Sequence, residues 1–200
     1  SDSIVYFVKY LCEISYAEIS NSANPRMFCL QKLVEITHFN MDRVRFVWLK
    51  LWKIIAEHFV FAGCHENVNI SMFAIDSLRQ LADKFLEKHE LTTFSFQKEF
   101  LKPFQIITLR SSPTIRELVV QCVARLIMSR YKTIKSGWKC VFAVLGIAAR
   151  DNNETLVAST FEIMKQVLDL YFPLIQKMGA RPGNANDIFK PDLKLSELKD

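Results

Sequence analysis

Cysteine and histidine are the residues of this 200-residue chain whose chemistry could support catalysis or metal binding. The five cysteines include no C-x-x-C pair, and their odd number does not suit a complete disulfide framework. Cys64 and His65 are sequence neighbours, but adjacent side chains normally point in different directions, so the pairing is weak evidence for a nucleophile and its base. We therefore expect reduced thiols in a cytosolic protein. The cysteines are Cys12, Cys29, Cys64, Cys122 and Cys140.

The histidines and glycines do not form the usual catalytic or nucleotide-binding patterns. The four histidines contain no H-E-x-x-H spacing, which places two zinc ligands on one helix face. The five glycines are too scattered for G-x-G-x-x-G or G-x-x-x-x-G-K-[ST], the loops that hold phosphates with backbone N–H groups. The sequence therefore predicts no catalytic residue, no cofactor and no metal site.

Positive charge is concentrated in one quarter of the chain. Residues 102–150 contain nine Lys and Arg and one acidic residue, a net charge of +8, whereas the segments before and after carry −1 and −2. Such a block attracts an anionic membrane surface, an acidic protein patch or a nucleic acid, although a solvated face is the alternative. RNA-reading repeats place polar readers on each unit, whereas this charge gathers where one helix ends and the next begins, so no nucleic acid partner is expected. The candidate partner- or membrane-binding residues are Arg125, Arg130, Lys132, Lys135 and Lys139.

Helices are the elements that must position these residues. Half of the residues are hydrophobic and only 5 are Gly and 6 are Pro, which favours helices over a turn-rich β-fold. A short helix around Phe96 is expected to be kinked or divided at Pro103, and Ser136 is expected to cap the helix that begins at Gly137. The other helices are predicted over residues 3–20, 25–40, 42–62, 67–89, 113–131 and 137–149, with a last long one ending near Met178.

The spacing of these helices predicts the architecture. Helix pairs recur at intervals of roughly 40 residues and have wide apolar faces, which predicts an all-α, HEAT-like or armadillo-like solenoid of about seven to nine helices. A single globular helical bundle is the alternative. The helical-repeat domain is expected over residues 1–178, with an extended tail or linker over 179–200. Charges interrupt every apolar run before the ~18 residues of a membrane span, and Ser1-Asp2 lacks the basic start of a signal peptide.

Three residues on the apolar helix faces receive structural predictions. Trp48 belongs to an aromatic stripe that is expected to fill the core rather than to bind a cofactor. His58 lies at the edge of that stripe with no second ligand four residues later, so it is expected to be structural. Arg116 falls among apolar positions, where an unpaired charge is costly, and is expected to meet a carboxylate or carbonyl group on a neighbouring helix, with Asp76 and Glu99 as candidates.

Five ordered strings give the chain a family resemblance. They are NMDRVRFVW (40–48), FAIDSLRQL (73–81), FQKEFLKPF (96–104), IREL (115–118) and SGWK (136–139). Over about residues 35–172 the chain resembles the first homology region downstream of the catalytic domain in large, brefeldin-A-inhibited-type guanine-nucleotide exchange factors for Arf GTPases. The structural motif residues are Asp42, Arg43, Arg45, Trp48, Gly137, Asp76, Arg79, Arg116 and Trp138. The last four of these residues are expected mainly to pack helices and pair across them.

The resemblance implies a regulatory part of a much larger cytosolic protein that works peripherally on trans-Golgi or endosomal membranes. In that family, exchange activity belongs to a separate domain, whose motif has no counterpart here, so this chain is not expected to be an enzyme. The implied partners are an activated Arf-family GTPase, an anionic Golgi or endosomal membrane surface and other domains of the same exchange factor. The alternative is an architectural spacer or a generic protein-interaction scaffold that binds no GTPase.

Overall fold

The structure, a computed structural model, describes residues 2–21, 23–42, 45–87 and 95–179. A π-helical segment, Val167–Tyr171, joins the last two α-helices. Within these ranges no helix is long and apolar enough to cross a bilayer. The predicted tail lies outside the described residues, apart from Gly179. The α-helices are α1 (Asp2–Ser20), α2 (Phe28–Asn40), α3 (Arg45–Gly63), α4 (Val68–Leu86), α5 (Phe96–Arg110), α6 (Pro113–Arg130), α7 (Trp138–Ala148), α8 (Glu154–Gln166) and α9 (Phe172–Gly179).

The helices form two layers of stacked pairs. Helices α1, α3, α5 and α7 pack side by side in one layer, each against the next, and α2, α4, α6 and α8 do the same in the other. Each odd-numbered helix of these pairs also packs against the even-numbered helix that follows it. Each pair therefore buries its apolar face against the neighbouring pairs, as in a helical-repeat protein. The predicted HEAT-like solenoid is confirmed, and this order of contacts does not fit a globular bundle.

An aromatic stack fills the core between α3, α4 and α5. The rings of Trp52 and Phe100 lie 4.0 Å apart between centroids and 10° from parallel. The ring of Phe85 lies 4.3 Å from that of Phe100 at 8°, and Trp48 stacks on both phenylalanines at 6.4 Å. Trp48 and Trp52 are each 3% exposed, so the predicted core role of the stripe is confirmed.

Pro103 lies inside α5 without dividing it, so of the two predicted outcomes, a kink or a division, the division is wrong. Proline removes the N–H that would otherwise bond to the carbonyl four residues earlier, which here is the carbonyl of Glu99. The indole Nε1 of Trp52, on α3, donates a hydrogen bond to that oxygen at 3.1 Å. The helix continues because a neighbouring helix supplies the missing donor.

The last predicted helix is interrupted by the π-helical segment. Its residue Tyr171 packs against Tyr131, the residue that follows α6, with ring centroids 4.8 Å apart. The π-helical segment also buries Val167, which is 1% exposed, in the core. A π-turn inserts one extra residue into a helical turn and so changes the direction of the side chains that follow. The predicted long helix ending near Met178 is confirmed, since α8, the π-helical segment and α9 follow one another without a gap, but the π-helical turn within it was not predicted.

His58 connects α3 to α1 within the core. Its Nε2 lies 2.8 Å from Oγ of Ser15, and the two residues are 7% and 0% exposed. Burial lowers the pKa of His58 to about 4. His58 is therefore a buried, hydrogen-bonded histidine, as predicted.

Lowering the pH from 7 to about 5 is expected to cost about 2 kcal/mol of stability through His58. Its pKa is about 4 in the folded protein, against 6.5 for a freely solvated histidine, so the unfolded chain binds more protons. The stabilisation is complete above pH 6.5 and is lost as the pH falls towards about 4. Urea unfolding at the two pH values measures this loss. The His58→Gln variant does not titrate at this position and should lose less; an equal loss in both proteins would contradict the assignment.

Candidate interaction site at the loop between α6 and α7

The loop between α6 and α7, residues 131–137, is fixed by the side chain of Gln97 from α5. Gln97 is 1% exposed, and its Oε1 accepts hydrogen bonds from the backbone N–H of Lys135 at 2.7 Å and of Gly137 at 3.4 Å. Its Nε2 donates to the carbonyl of Thr133 at 2.9 Å. These three bonds, the Gln97 network, supply the partners that buried backbone groups need in an irregular loop, so the loop has a defined conformation.

Two further contacts attach the loop and α7 to the first turn of α5. Ser136 Oγ accepts a hydrogen bond from the N–H of Lys98 at 3.1 Å, one of the N–H groups that a helix leaves unpaired at its start. The thiol of Cys140 donates to the carbonyl of Lys98 at 3.2 Å. The prediction that Ser136 caps α7 is wrong, because Gly137 occupies the N-cap position and Ser136 instead serves α5.

Gly137 is required by the close approach of the loop to α5. A Cβ atom at this position would lie 2.9 Å from Cδ1 of Leu101 and 3.3 Å from Oε1 of Gln97. Its φ is −60°, a value that any residue adopts, so backbone freedom is not the reason for a glycine here. Any larger residue would displace the Gln97 side chain or the leucine behind it.

Lysines from α5, the loop and α7 surround this fixed segment. Lys102, Lys135 and Lys139 are exposed, and Lys98 is half-buried. Burial raises the pKa of the Cys140 thiol to about 11, and the nearby charges of Lys98, Lys102 and Lys139 act against that rise. The backbone of Lys135 lies beside the same part of α5, because its N–H donates a hydrogen bond to Gln97, the residue that precedes Lys98. We call Lys98, Lys102, Lys135 and Lys139 the lysine cluster.

The sequence analysis missed half of this cluster. Lys98 and Lys102 are four residues apart, which places them on one face of α5, and the buried Phe100 and Phe104 mark the opposite side. That spacing was the available signal. It could not show that α5 lies beside the start of α7, which is a property of the stacking.

Two of the other predicted residues lie near the C-terminal end of α6. Arg130 is the last residue of α6, and Lys132 is in the loop that follows. Arg130 forms ion pairs with Asp83 at 2.7 Å and Glu87 at 2.8 Å, so its guanidinium joins α6 to α4. The hydrogen bond from Arg130 is the main cause that lowers the pKa of Asp83. Lys132 is exposed, and its Nζ lies 5.7 Å from the centroid of the neighbouring Tyr131 ring.

Arg125 is exposed on α6 beside the Asp76–Arg79 pair of α4. Arg79 binds Asp76 at 2.8 Å within α4. The two residues were expected to pair across helices instead. Burial acts to raise the pKa of Asp76, but hydrogen bonds from Arg79 and Gln80, together with the charge of Arg125, hold it below its usual value. The structure thus gathers Lys135 and Lys139 with two lysines of α5, whereas Arg125 and Arg130 face α4.

Arg116 pairs with Asp151, so the predicted pairing with a carboxylate is confirmed, but neither candidate, Asp76 or Glu99, is the partner. Its Nε lies 2.8 Å from Oδ2 of Asp151, whose side chain is 5% exposed in the turn between α7 and α8. The other carboxylate oxygen of Asp151 accepts the N–H of Asn153 at 2.9 Å. Asp76 binds within α4, as described above, and Glu99 is exposed on α5. The pair joins α6 to the turn that precedes α8.

The remaining motif residues are Trp138, Asp42, Arg43 and Arg45. Trp138 is 8% exposed and stacks on Phe142 with ring centroids 5.5 Å apart. Asp42 is exposed in the turn after α2. Arg43 and the side chain of Arg45 lie outside the described residues.

The five cysteines are free thiols, and four of them are buried. Burial raises the pKa of Cys12 to about 12 and that of Cys122 to about 11, and it also raises the pKa of the half-buried Cys64. Raised pKa values disfavour the nucleophilic thiolate at neutral pH. Across the described part of the chain, His, Cys, Asp and Glu form no group of three or more that could hold a metal ion.

Comparison with known proteins gives the chain a family. Residues 84–166 match the family model described as Mon2/Sec7/BIG1-like, HDS. Brefeldin A-inhibited guanine nucleotide-exchange protein 2 of Arabidopsis thaliana is 42% identical over 208 residues, which cover 99% of this chain and 12% of the relative. Protein 1 of the same name from Homo sapiens is 46% identical over 172 residues, 86% of this chain and 9% of the relative. The chain corresponds to one segment of the brefeldin A-inhibited exchange proteins.

The chain spans only about a tenth of the length of these exchange proteins. The HDS match begins in the last turns of α4 and reaches the end of α8, so it contains the Gln97 network, the lysine cluster and the Arg116–Asp151 pair. The resemblance inferred from the five sequence strings is confirmed. The candidate interaction site therefore lies within the part of this chain that matches the HDS model.

Proposed function

We propose that this chain is a non-catalytic regulatory and membrane-recruitment module of a large Arf guanine-nucleotide exchange factor. It recognises activated, membrane-bound Arf GTPase and modulates the exchange domain, which lies elsewhere in the same protein. The observation that carries the proposal is the lysine cluster around the loop that the Gln97 network holds in place. Similarity to the exchange proteins supports the proposal that the module is part of a large exchange factor.

The cluster suits an anionic leaflet. A Lys or Arg near such a surface contributes about 1 kcal/mol, and the attraction extends over about a Debye length, ~8 Å at physiological salt. The lysines lie on one fixed loop and two packed helices, so the protein can bring all of them to the leaflet in one orientation. Their attractions to the leaflet then add. The module thus works peripherally on the cytosolic face of trans-Golgi or endosomal membranes.

The three other predicted basic residues contribute unequally to this surface. The positive charge of Arg130 is already compensated by Asp83 and Glu87, so its role is to hold the end of α6 against α4. Arg125 and Lys132 are exposed and add to the positive field around the loop. The contact with the leaflet is therefore made mainly by the lysine cluster.

The double variant Lys135→Glu/Lys139→Glu is expected to bind anionic liposomes carrying GTP-loaded Arf at least about 10-fold more weakly than the wild type. Each reversal removes an attraction of about 1 kcal/mol and adds a repulsion, and about 1.4 kcal/mol corresponds to a factor of 10. Liposome flotation measures the bound fraction at increasing lipid concentration.

The matched control for this prediction is Lys9→Glu/Lys165→Glu. These exposed lysines lie on α1 and α8, and their reversal changes the net charge by the same amount. The control should bind like the wild type. Unchanged binding of the Lys135→Glu/Lys139→Glu protein would remove the lysine cluster from the mechanism.

A second candidate function is an architectural spacer that stacks on other helical parts of the same exchange factor without binding a GTPase. Exposed aromatic side chains on α1 and α8 favour it: Tyr6 and Tyr10 of α1 are 62% and 60% exposed, and Phe161 of α8 is 55% exposed. Flotation with Arf locked in its GTP or GDP form separates the two functions. Recruitment that depends on the nucleotide supports the module, and equal recruitment supports the spacer.

A further inference from the structure

A stripe of four residues runs along the outer face of α2. Its members are Phe28, Lys32, Glu35 and Phe39, separated by four, three and four positions. At about 100° per residue they fall within an arc of about 60°, and the stripe is about 16 Å long at about 1.5 Å per residue. The buried residues of α2 lie on the opposite face of the helix, so the stripe is not part of the core.

The two aromatic rings at the ends of the stripe are open to solvent. Phe28 is 60% exposed, and Phe39, at 79%, is the most exposed large hydrophobic residue in the described part of the chain. Burial of each ring would supply a large favourable free energy that is not realised in the isolated chain. Scattered single hydrophobic residues are common on surfaces, but two rings on one line of a helix mark a face that a partner covers.

The two charges between the rings balance each other. Nζ of Lys32 lies 3.0 and 2.9 Å from the two carboxylate oxygens of Glu35, and the side chains remain 44% and 53% exposed. An ammonium group has three donors and a carboxylate has about four acceptor sites, so each can bind a second opposite charge. A stripe without net charge gains nothing from an anionic leaflet or a nucleic acid, which favours a protein partner.

The order of the four residues indicates which protein that partner is. Phe28 and Phe39 are equally far from the midpoint of the stripe, and so are Lys32 and Glu35. When two copies of one helix pack antiparallel about a two-fold axis, positions equally far from the midpoint lie opposite each other. In such a pair each phenylalanine meets a phenylalanine and each lysine meets a glutamate. The stripe is therefore complementary to itself.

We infer that α2 is a self-association surface, on which a second copy of this chain binds antiparallel about a two-fold axis. Phe28 packs on Phe39 of the partner subunit and Lys32 pairs with Glu35 of the partner subunit, and the symmetry repeats each contact. An interface built mainly on one helix falls below about 1,200 Å², the range of weak complexes, so the dimer forms reversibly. Self-association of this kind requires neither the lysine cluster nor a GTPase.

Sedimentation equilibrium of the chain over about 10–100 μM tests the charged contact. The wild type is expected to be a mixture of monomer and dimer. Lys32→Glu places acids opposite acids and Glu35→Lys places bases opposite bases, so each single variant should associate at least about 10-fold more weakly. In an equimolar mixture of the two variants every acid again faces a lysine, and association should return to at least the wild-type level. Loss of the exposed ion pair within α2 costs little stability, and circular dichroism establishes that each variant is folded.

Phe39→Ser tests the apolar contact in the same experiment. This variant should also associate at least about 10-fold more weakly, because the symmetry makes each ring contribute twice. The matched control is Phe161→Ser, which removes a ring that is 55% exposed on α8. The control should associate like the wild type.

A wild-type chain that is monomeric over the whole concentration range overturns the inference. Self-association that neither the charge variants nor Phe39→Ser weaken also overturns it, because the contact then lies elsewhere on the chain. If both charge variants are weakened but their mixture does not recover, Lys32 and Glu35 do not face each other and the antiparallel pairing is wrong. Recovery in the mixture supports the pairing, since an effect on folding within one chain is not reversed by adding the other variant.

Discussion

Replacing Gln97 with leucine is expected to lower the free energy of unfolding by about 3 kcal/mol, because buried polar groups left without partners cost about 1–3 kcal/mol each. The substitution preserves the size and burial of the side chain but removes all three bonds of the Gln97 network. The N–H groups of Lys135 and Gly137 and the carbonyl of Thr133 then lose the partner that holds the loop. Urea denaturation at pH 7 measures the change.

Two variants separate the Gln97 network from a general effect of substitution. Gln97→Glu in its neutral form keeps an oxygen for the N–H of Lys135 and an O–H that can donate to the carbonyl of Thr133, so at a pH where the new acid is neutral it should cost less than Gln97→Leu. Gln121→Leu changes an exposed glutamine on α6 and should alter the stability by less than about 0.5 kcal/mol. A Gln97→Leu protein as stable as the Gln121→Leu protein would show that the loop finds other partners.

The loss of the Gln97 network should also weaken membrane binding, which links the fold to the proposed function. The lysines of the loop would then sample many positions, and a mobile charge pays an ordering cost when it meets the leaflet. Gln97→Leu should therefore bind anionic liposomes more weakly under conditions in which it remains folded, although it retains every lysine. A larger residue at Gly137 should disturb the Gln97 network in the same way, since a Cβ there would press on Oε1 of Gln97.

The helices and their layered order could be predicted because they follow from local patterns. Apolar positions recurring at helical spacing identify which face of each segment is buried, and the breaks at Asn40, Gly63 and Ser112 set helix ends close to those observed. Stacked pairs then follow from wide apolar faces, which one partner helix cannot cover.

The contacts between distant segments could not be predicted in the same way. Gln97 binds a carbonyl 36 residues further along the chain, and Trp52 binds one 47 residues further along. The pattern of Arg116 revealed a charge on a buried face, but not that the turn before α8 would bring Asp151 to it. The division expected at Pro103 was wrong for the same reason. The expectation rested on the N–H that proline lacks within its own helix, whereas the donor that replaces it comes from Trp52 on α3.

The candidate site shows how this limit affects a prediction of function. The block of positive charge located Lys135 and Lys139 correctly near one loop, but a count along the chain could not distinguish them from Arg130, whose charge the acids of α4 already compensate. Nor could it add Lys98, which lies outside the block. Charge in the sequence indicates a partner class, whereas the stacking determines which charges are available to it.

Replacing Arg116 with methionine is expected to lower the free energy of unfolding by about 3 kcal/mol, the low end of the range for breaking a buried ion pair, because the Asp151 side chain is 5% exposed but that of Arg116 is 24% exposed. The side chain of Asp151 is 5% exposed, and its remaining bond is to the N–H of Asn153. Methionine retains the apolar stem that packs in the face of α6, so the lost interaction is mainly electrostatic. Chemical denaturation of the variant at pH 7 measures the loss.

The double variant Arg116→Met/Asp151→Asn determines whether charge is the cause. Asparagine keeps an oxygen for the N–H of Asn153 and removes the buried negative charge, so the double variant should recover about 2 kcal/mol of the loss, as is typical when both partners of a buried pair are neutralised. Arg125→Met, at an exposed position on the same helix, should change the stability by less than about 0.5 kcal/mol. If the double variant is no more stable than Arg116→Met, the arginine stabilises α6 through packing of its stem. The turn before α8 would then be held in place without the ion pair.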